Sequence, residues 1–320
     1  MCVASCASLL PVWFAAPLRA QAVVPDRGEA TLTITYQNYD VIGHYDAQGH
    51  TNGNGSTRSQ ALVTEFDYGV MDRFGLLVTL PFIASKYTGA PSYFVGPYLT
   101  RAGPLDDGAY HGAFQDVRIE LRRQWSVGPV PVTPFIGASF PTHDYETVGE
   151  AVPGRHRRDL QFGANTAIDL DRILRGAYVD GRYTYAAMQR VNDFPFTRSI
   201  IDLDAGAAVT SRVLLRALAE WQIRHSGPSL AELYPDWINH DRFIAPSYTH
   251  VGGGASLSMT RTTELFALFV GTVAGSNGAH RQRTLALGVS VSLGSGLHGL
   301  GGGTGSAHPA GHSSLIEPFR

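Results

Sequence analysis

Charge, cysteine and long apolar runs are all scarce in this chain of 320 residues, and each scarcity excludes a class of protein. Charged residues make up 16% of it, below the usual quarter, and the formal net charge is only -2. No basic footprint exists, so no nucleic-acid partner is expected. The two cysteines, Cys2 and Cys6, both sit at the extreme N-terminus, which leaves no disulfide framework and no thiol chemistry in the body of the chain. Beyond the first residues no uninterrupted apolar stretch of about 18 residues occurs, so no transmembrane helix is expected. Gly-x-Ser-x-Gly and phosphate-cradling loops are missing as well. The 12 histidines lie scattered over loops and tail without cysteine partners or ligand spacing. No metal site and no cofactor follow, and weak affinity at His308 and His312 would be incidental.

Glycine, by contrast, is abundant at 36 residues. Residues 1–22 read as an export signal with a short apolar core and a small-x-small end, Ala20-Gln21-Ala22, though without a basic start. Residues 294–320 are rich in Gly, Ser and His and read as a flexible tail. Between them, 23–293 form the body.

In that body the hydrophobic period is two. In the stretch 114–125, Asp116, Arg118, Glu120, Arg122 and Gln124 alternate with Val117, Ile119, Leu121 and Trp125, which sets charge on one face of an extended strand and apolar groups on the other. A helix would scatter the same charges all round. The pattern recurs at 29–39, 60–70, 74–84, 132–140, 159–169, 177–187, 200–209, 213–224, 249–259, 263–273 and 284–293. Each segment is about ten residues long, enough to cross a bilayer when tilted. Segment 263–273 is apolar on both faces.

Connections alternate. Tight turns are expected near 71–73, 128–130, 171–173, 211–212 and 260–262, and long polar loops at 40–58, 86–112, 143–157, 189–198, 226–247 and 275–281. Short turns on one side and long loops on the other, with an even strand count, describe an all-β fold: a transmembrane, antiparallel, up-and-down β-barrel of about 12 strands. The alternative is a soluble β protein, which would have to bury the charged face.

If the apolar faces meet lipid, the lumen carries Glu65, Asp67, Asp116, Arg118, Glu120, Arg122, Asp180, Arg182, Asp202, Asp204, Arg216, Glu220 and Arg224. These charges form either a polar path for solutes or a set of cross-strand pairs that fill the barrel. Leu77, Pro81, Ile83 and Phe135 are expected as an apolar lumen patch near the loop side, suited to an aromatic solute or to an inward-folded loop. No catalytic residues are expected and the chain reads as a non-enzyme. His225 and Ser226 are adjacent and point to opposite faces, so they cannot act as a lipase pair. Asp106-Asp107 and His240-Asp241 could suggest a loop protease, yet solvated loop charges account for them.

Several short motifs between about 60 and 225 resemble the "MetA-pathway of phenol degradation" family. Tyr68-Gly69-Val70-Met71-Asp72-Arg73-Phe74 is similar to its hairpin, Leu80-Pro81-Phe82 to the end of its third strand, and Phe140-Pro141-Thr142-His143-Asp144 to its Pro-Thr-Gly-Asp step with His143 in place of Gly. Asp116 falls where that family has an Asp after glycines, here replaced by Phe114 and Gln115. The resemblance implies a transporter barrel for small hydrophobic or aromatic compounds. Together these readings predict a barrel of the outer membrane of a Gram-negative bacterium that passes small solutes. The alternative is a closed structural or surface-interaction barrel whose long loops bind a partner. Expected partners are outer-membrane lipids, the barrel-assembly machinery and a small-molecule solute, with a monomer the simplest state. The last strand ends at Leu293 instead of on a terminal aromatic.

Overall fold

A computed structural model describes residues 22–53, 55–90, 93–95, 99–101, 103–229 and 240–294. The expected signal up to Gln21, both cysteines and the tail beyond Gly294 lie outside these residues. The polypeptide forms a closed barrel of 12 antiparallel strands. In chain order these are β1 (Ala30–Tyr45), β2 (Gly55–Met71), β3 (Phe74–Gly89), β4 (Asp116–Arg123), β5 (Val130–Pro141) and β6 (Asp159–Asp169). They continue with β7 (Tyr178–Val191), β8 (Phe194–Ala208), β9 (Val213–Ser226), β10 (Ser247–Ser258), β11 (Thr263–Ser276) and β12 (Gly278–Leu293). Each strand pairs with its sequence neighbours, and β12 returns to β1 in the register Ala30↔Leu293 through Asp40↔Arg283. Closure leaves no open sheet edge, so the barrel backbone can be satisfied inside lipid.

The alternation read from sequence holds in space. Along β4, Asp116, Arg118, Glu120 and Arg122 are buried inside, whereas Ile119 and Leu121 stand exposed outside. Leu62, Phe66, Phe162, Leu215, Phe269, Leu285 and Leu287 continue this exposed apolar exterior around the wall. Such an exterior suits hydrocarbon and not water.

Several strands run further on the loop side than the sequence pattern predicts, whereas β4 is shorter than the expected 114–125, ending at Asp116 and Arg123. β1 runs on to Tyr45, β3 to Gly89 and β7 to Val191, while β8 starts at Phe194 and β12 at Gly278. The alternation fades there because these ends project beyond the apolar band, so neither face is selected for lipid. Two expected loops vanish as a result. The stretch 189–198 is a two-residue turn, Asn192-Asp193, with φ of 47° and 66°, the mirror-image geometry that matches strand twist. The stretch 275–281 shrinks to Asn277 between β11 and β12. Likewise Leu80-Pro81-Phe82 does not end the third strand but lies in its middle.

On the turn side, residues 22–28 fold across the barrel mouth. Thr133 donates its hydroxyl to the Ala22 carbonyl, and the Val24 N–H donates to Gln124 Oε1 at 2.9 Å. The Gly28 N–H reaches the Gly69 carbonyl at 2.8 Å. Gly69 is needed here, because a Cβ would stand 2.1 Å from the Asp26 carbonyl oxygen. Gly75, just after the hairpin, has Val24 Cγ1 2.7 Å from where its Cβ would be. The Tyr-Gly of the hairpin motif therefore makes room for this N-terminal strap.

Candidate functional site: the barrel lumen

The 13 ionisable residues expected in the lumen alternate with the exposed apolar set and lie on the inner wall. The structure brings many of them into contact. Toward the turn side Glu120, with no exposed surface, takes Arg118 Nη2 on one oxygen and Arg182 Nη2, at 2.9 Å, on the other. β4 and β7 are separated in the wall by β5 and β6, so the Glu120–Arg182 bond bridges two strands along the inner face. Arg182 is held further by Asn165 at 3.2 Å and Thr184 at 3.1 Å, and its guanidinium lies 3.9 Å above the Phe135 ring. Nearer the turns Arg122 pairs with Asp67.

On the adjoining strands Arg216 pairs with Asp204, which also receives Tyr178 Oη at 3.2 Å. Asp180 stands opposite Asp204 in the β7–β8 register, and neither of its oxygens has a hydrogen-bond partner in the protein. Glu220 lies 3.7 Å from His250 Nδ1. Asp202 is opposite Glu220 in the β8–β9 register. Glu65 is buried on β2, and Arg224, near the loop end of β9, donates to the carbonyls of Gly227 and Pro228 at 3.3 and 3.2 Å.

The four apolar residues are all buried on the inner wall but do not form one patch. Leu77 is opposite Glu120 and Asp67 close to the turn side, six residues or about 20 Å along the strand from Ile83. Phe135 serves Arg182, and the Pro81 carbonyl accepts the Gln115 N–H at 2.9 Å. Only Ile83 joins an apolar cluster, with Tyr39, Val41, Ala61 and Val63. A second cluster, missed in the sequence, joins Leu218, Phe266, Leu268, Val270 and Ala286. Its signal was present: β11 is the strand apolar on both faces. The lumen therefore has apolar clusters on β1–β3 and β9–β12 facing the bridged charges of β4 and β7.

The loop side is covered by ordered chain. Asp106 accepts the N–H groups of Gly103, Glu150 and Ala151 at 3.1, 3.0 and 2.9 Å, tying two loops together. Asp107 accepts from Ala109 N–H and His111 Nε2, both at 2.8 Å. These partners explain the Asp106-Asp107 pair as loop structure. The side chains of His240 and Asp241 lie outside the described residues. Tyr145 reaches down to Asp116 and receives the His156 N–H at 2.9 Å. Burial and the adjacent Asp116 charge push the Tyr145 hydroxyl pKa well up, so it stays a neutral donor.

One polar chain lies on the outside. Tyr183 Oη, Ser199 Oγ and His225 Nε2 are linked at 2.9 and 2.7 Å across β7, β8 and β9, with His225 stacked beside Tyr185. No spacing along a single strand signals it, because its members are cross-strand neighbours. Ser199 is only 5% exposed, and Ser226 points to Thr197 instead. A hydrogen-bonded belt at the loop-side rim explains the group.

No family model matches the sequence, and comparison with curated proteins gives no match. Among solved structures, the COG4313 outer membrane channel from Pseudomonas putida F1 superimposes with a TM-score of 0.64 at 14% identity, over 85% of this chain and 98% of that one. The translocator domain of autotransporter NalP from Neisseria meningitidis gives 0.47 at 12% identity, over 83% and 89%. The NanC porin gives 0.44 at 9% identity, over 81% and 98%. At these identities the likeness establishes architecture: this chain has the fold of an outer-membrane β-barrel.

Proposed function

We propose that the protein is an outer-membrane channel for small solutes with both an apolar and a polar part. The observation that carries this reading is a lumen full of ionisable groups whose hydrogen-bonding capacity the protein does not exhaust. Asp180, Arg157 Nε and Nη1, and Arg198 Nε are buried and without protein partners. Such groups are tolerated where water reaches them, so the interior is a hydrated path and not a dry core. The apolar clusters beside it supply a surface for a greasy solute body. The resemblance of Tyr68–Phe74 to the phenol-degradation family hairpin supports an aromatic or hydrophobic solute and membership of that family. An apolar exterior and complete closure fit residence in the outer membrane of a Gram-negative bacterium, with its lipids and assembly machinery as partners. No catalytic role is proposed, and a monomer suffices because each barrel closes on itself.

A second reading rests on Glu120, Arg118 and Arg182, whose bonded, buried side chains occupy the interior beside β4–β7: a closed barrel whose loops do the work. Conductance of purified, detergent-folded protein in a planar bilayer separates the two. Discrete conductance steps support the channel. A silent bilayer with correctly inserted protein supports the closed barrel and overturns the first reading.

A further inference from the structure

On the outer wall the strand registers align side chains in rows across β12, β1, β2 and β3. Leu287, Tyr36, Leu62 and Phe82 stand side by side, all exposed, in the apolar exterior. Two residues nearer the loops the row is Leu285, Asn38, Gln60 and Ala84. Two residues further it is Arg283, Asp40, Arg58 and Lys86. Tyr39, Ser59 and Ser85, next in sequence to three of these residues, are fully buried inside, so this last row faces outward. It lies four residues, or about 13 Å along the strands, from the apolar row.

The row carries three cations against one carboxylate. Asp40 accepts Arg58 Nε at 2.8 Å and lies 3.6 Å from Arg283 Nε. It offsets one charge of the three and holds both guanidiniums through Nε, which leaves their terminal nitrogens to an outside acceptor. The Arg58 and Arg283 side chains are 51% and 59% exposed. Lys86 Nζ sits 5.1 Å over the Tyr110 ring and makes no hydrogen bond to the described residues. The Tyr110 hydroxyl is in turn reached by Gln60 Nε2 at 3.5 Å. Unlike the charges of the lumen, this group is open to its surroundings and keeps an excess of two positive charges.

We propose that the row binds the phosphate groups of an outer-leaflet glycolipid, with the lipid's acyl chains against Leu287, Tyr36, Leu62 and Phe82. The proposal concerns the outer wall and is independent of whether the lumen conducts. In an outer-membrane barrel the long loops face away from the cell, so the row stands where the outer leaflet meets water. Guanidinium forks match phosphate oxygens in geometry and charge, and lysine adds a point charge. Four strands spaced about 4.8 Å apart make the row about 14 Å wide, broader than one phosphate needs. Asp40 repels an anion placed directly over it, so two phosphates divide around it, one at Arg58 and Lys86 and the other at Arg283.

The test is native mass spectrometry of the detergent-folded protein titrated with diphosphoryl lipid A, with the same lipid stripped of both phosphates, and with inorganic phosphate. The diphosphoryl lipid is expected to bind at least about tenfold more tightly than the stripped one, and inorganic phosphate to give no adduct at the same concentration. Replacing Arg58→Gln and Lys86→Gln together is expected to weaken the diphosphoryl lipid at least about tenfold and to leave the stripped lipid unchanged. Arg283→Gln, with a loss of at least about threefold, serves if the double variant does not fold. Equal binding of the two lipids by the wild type, or a folded double variant that binds diphosphoryl lipid A unchanged, would overturn the site. Inorganic phosphate binding as tightly as the lipid would make it a free-anion site and overturn the lipid assignment. A barrel that conducts but has no preference for the phosphorylated lipid loses this site and keeps the channel; one that binds the lipid but never conducts keeps the site and loses the channel.

Discussion

Glu120 and Arg182 meet at 2.9 Å on the inner wall, from strands β4 and β7 that two other strands separate. Glu120→Gln keeps the shape but removes the counter-charge of both Arg118 and Arg182. The variant is expected to shift selectivity toward anions and to lose about 1–3 kcal/mol of stability in a urea titration, below the about 3–5 kcal/mol of a dry buried pair because water reaches the lumen. An unchanged reversal potential in an open channel would remove this bridge from the conduction path.

Charge reversal on the wall gives a complementary check. Arg118→Glu is expected to make the channel more cation-selective, and Asp204→Arg more anion-selective, with opposite shifts in reversal potential under a salt gradient. Shifts of the same sign, or none, would mean that ions do not pass these groups.

Gly69 lies beneath the N-terminal strap, where an added Cβ would meet the Asp26 carbonyl oxygen at 2.1 Å. Gly69→Ala is therefore expected to lift residues 22–28 from the mouth while leaving the barrel closed. Hydrogen exchange reads this directly. The Val24 amide, which donates to Gln124 in the wild type, should exchange at least about tenfold faster, and mean conductance should rise. Unchanged protection of Val24 would show that the strap tolerates the methyl group.

The Asn192-Asp193 turn needs positive φ at both residues. Asp193→Gly is expected to be neutral or slightly stabilising, whereas Asn192→Val should cost about 1–3 kcal/mol, because a β-branched side chain is strained there. Urea midpoints of the two folded variants check the order. Equal midpoints would mean that the turn relaxes into another geometry.

How much of this was legible in advance differs from element to element. The alternation of Asp116, Arg118, Glu120 and Arg122 with Val117, Ile119 and Leu121 was enough to set the inner and outer faces of β4, though not those of β11, which is apolar on both. Lipid imposes an apolar outer face over the height of the bilayer, and that demand is written in every second residue. Past the bilayer it lapses, and there the reading failed: residues 189–198 looked like a loop because Asn192 and Asp193 sit amid polar neighbours, although the strands continue to either side of them. The members of each charge pair were legible, but their partners were not. Glu120 and Arg182 stand 62 positions apart in sequence, and only the register and curvature of β4 to β7 bring them together.

The basic row on the outer wall shows the same division. Arg283 comes from β12, Arg58 from β2 and Lys86 from β3, and no spacing in the sequence links them. Local chemistry determined that this chain is a barrel, how many strands it has and which side chains point inward, because a strand's period of two couples each residue to a face. Which inward side chains meet, and what surrounds them at either mouth, was decided by strand order, by the loops folded over one end and by the strap across the other. Those are contacts between distant parts of the chain, and they exist only once the sheet has closed.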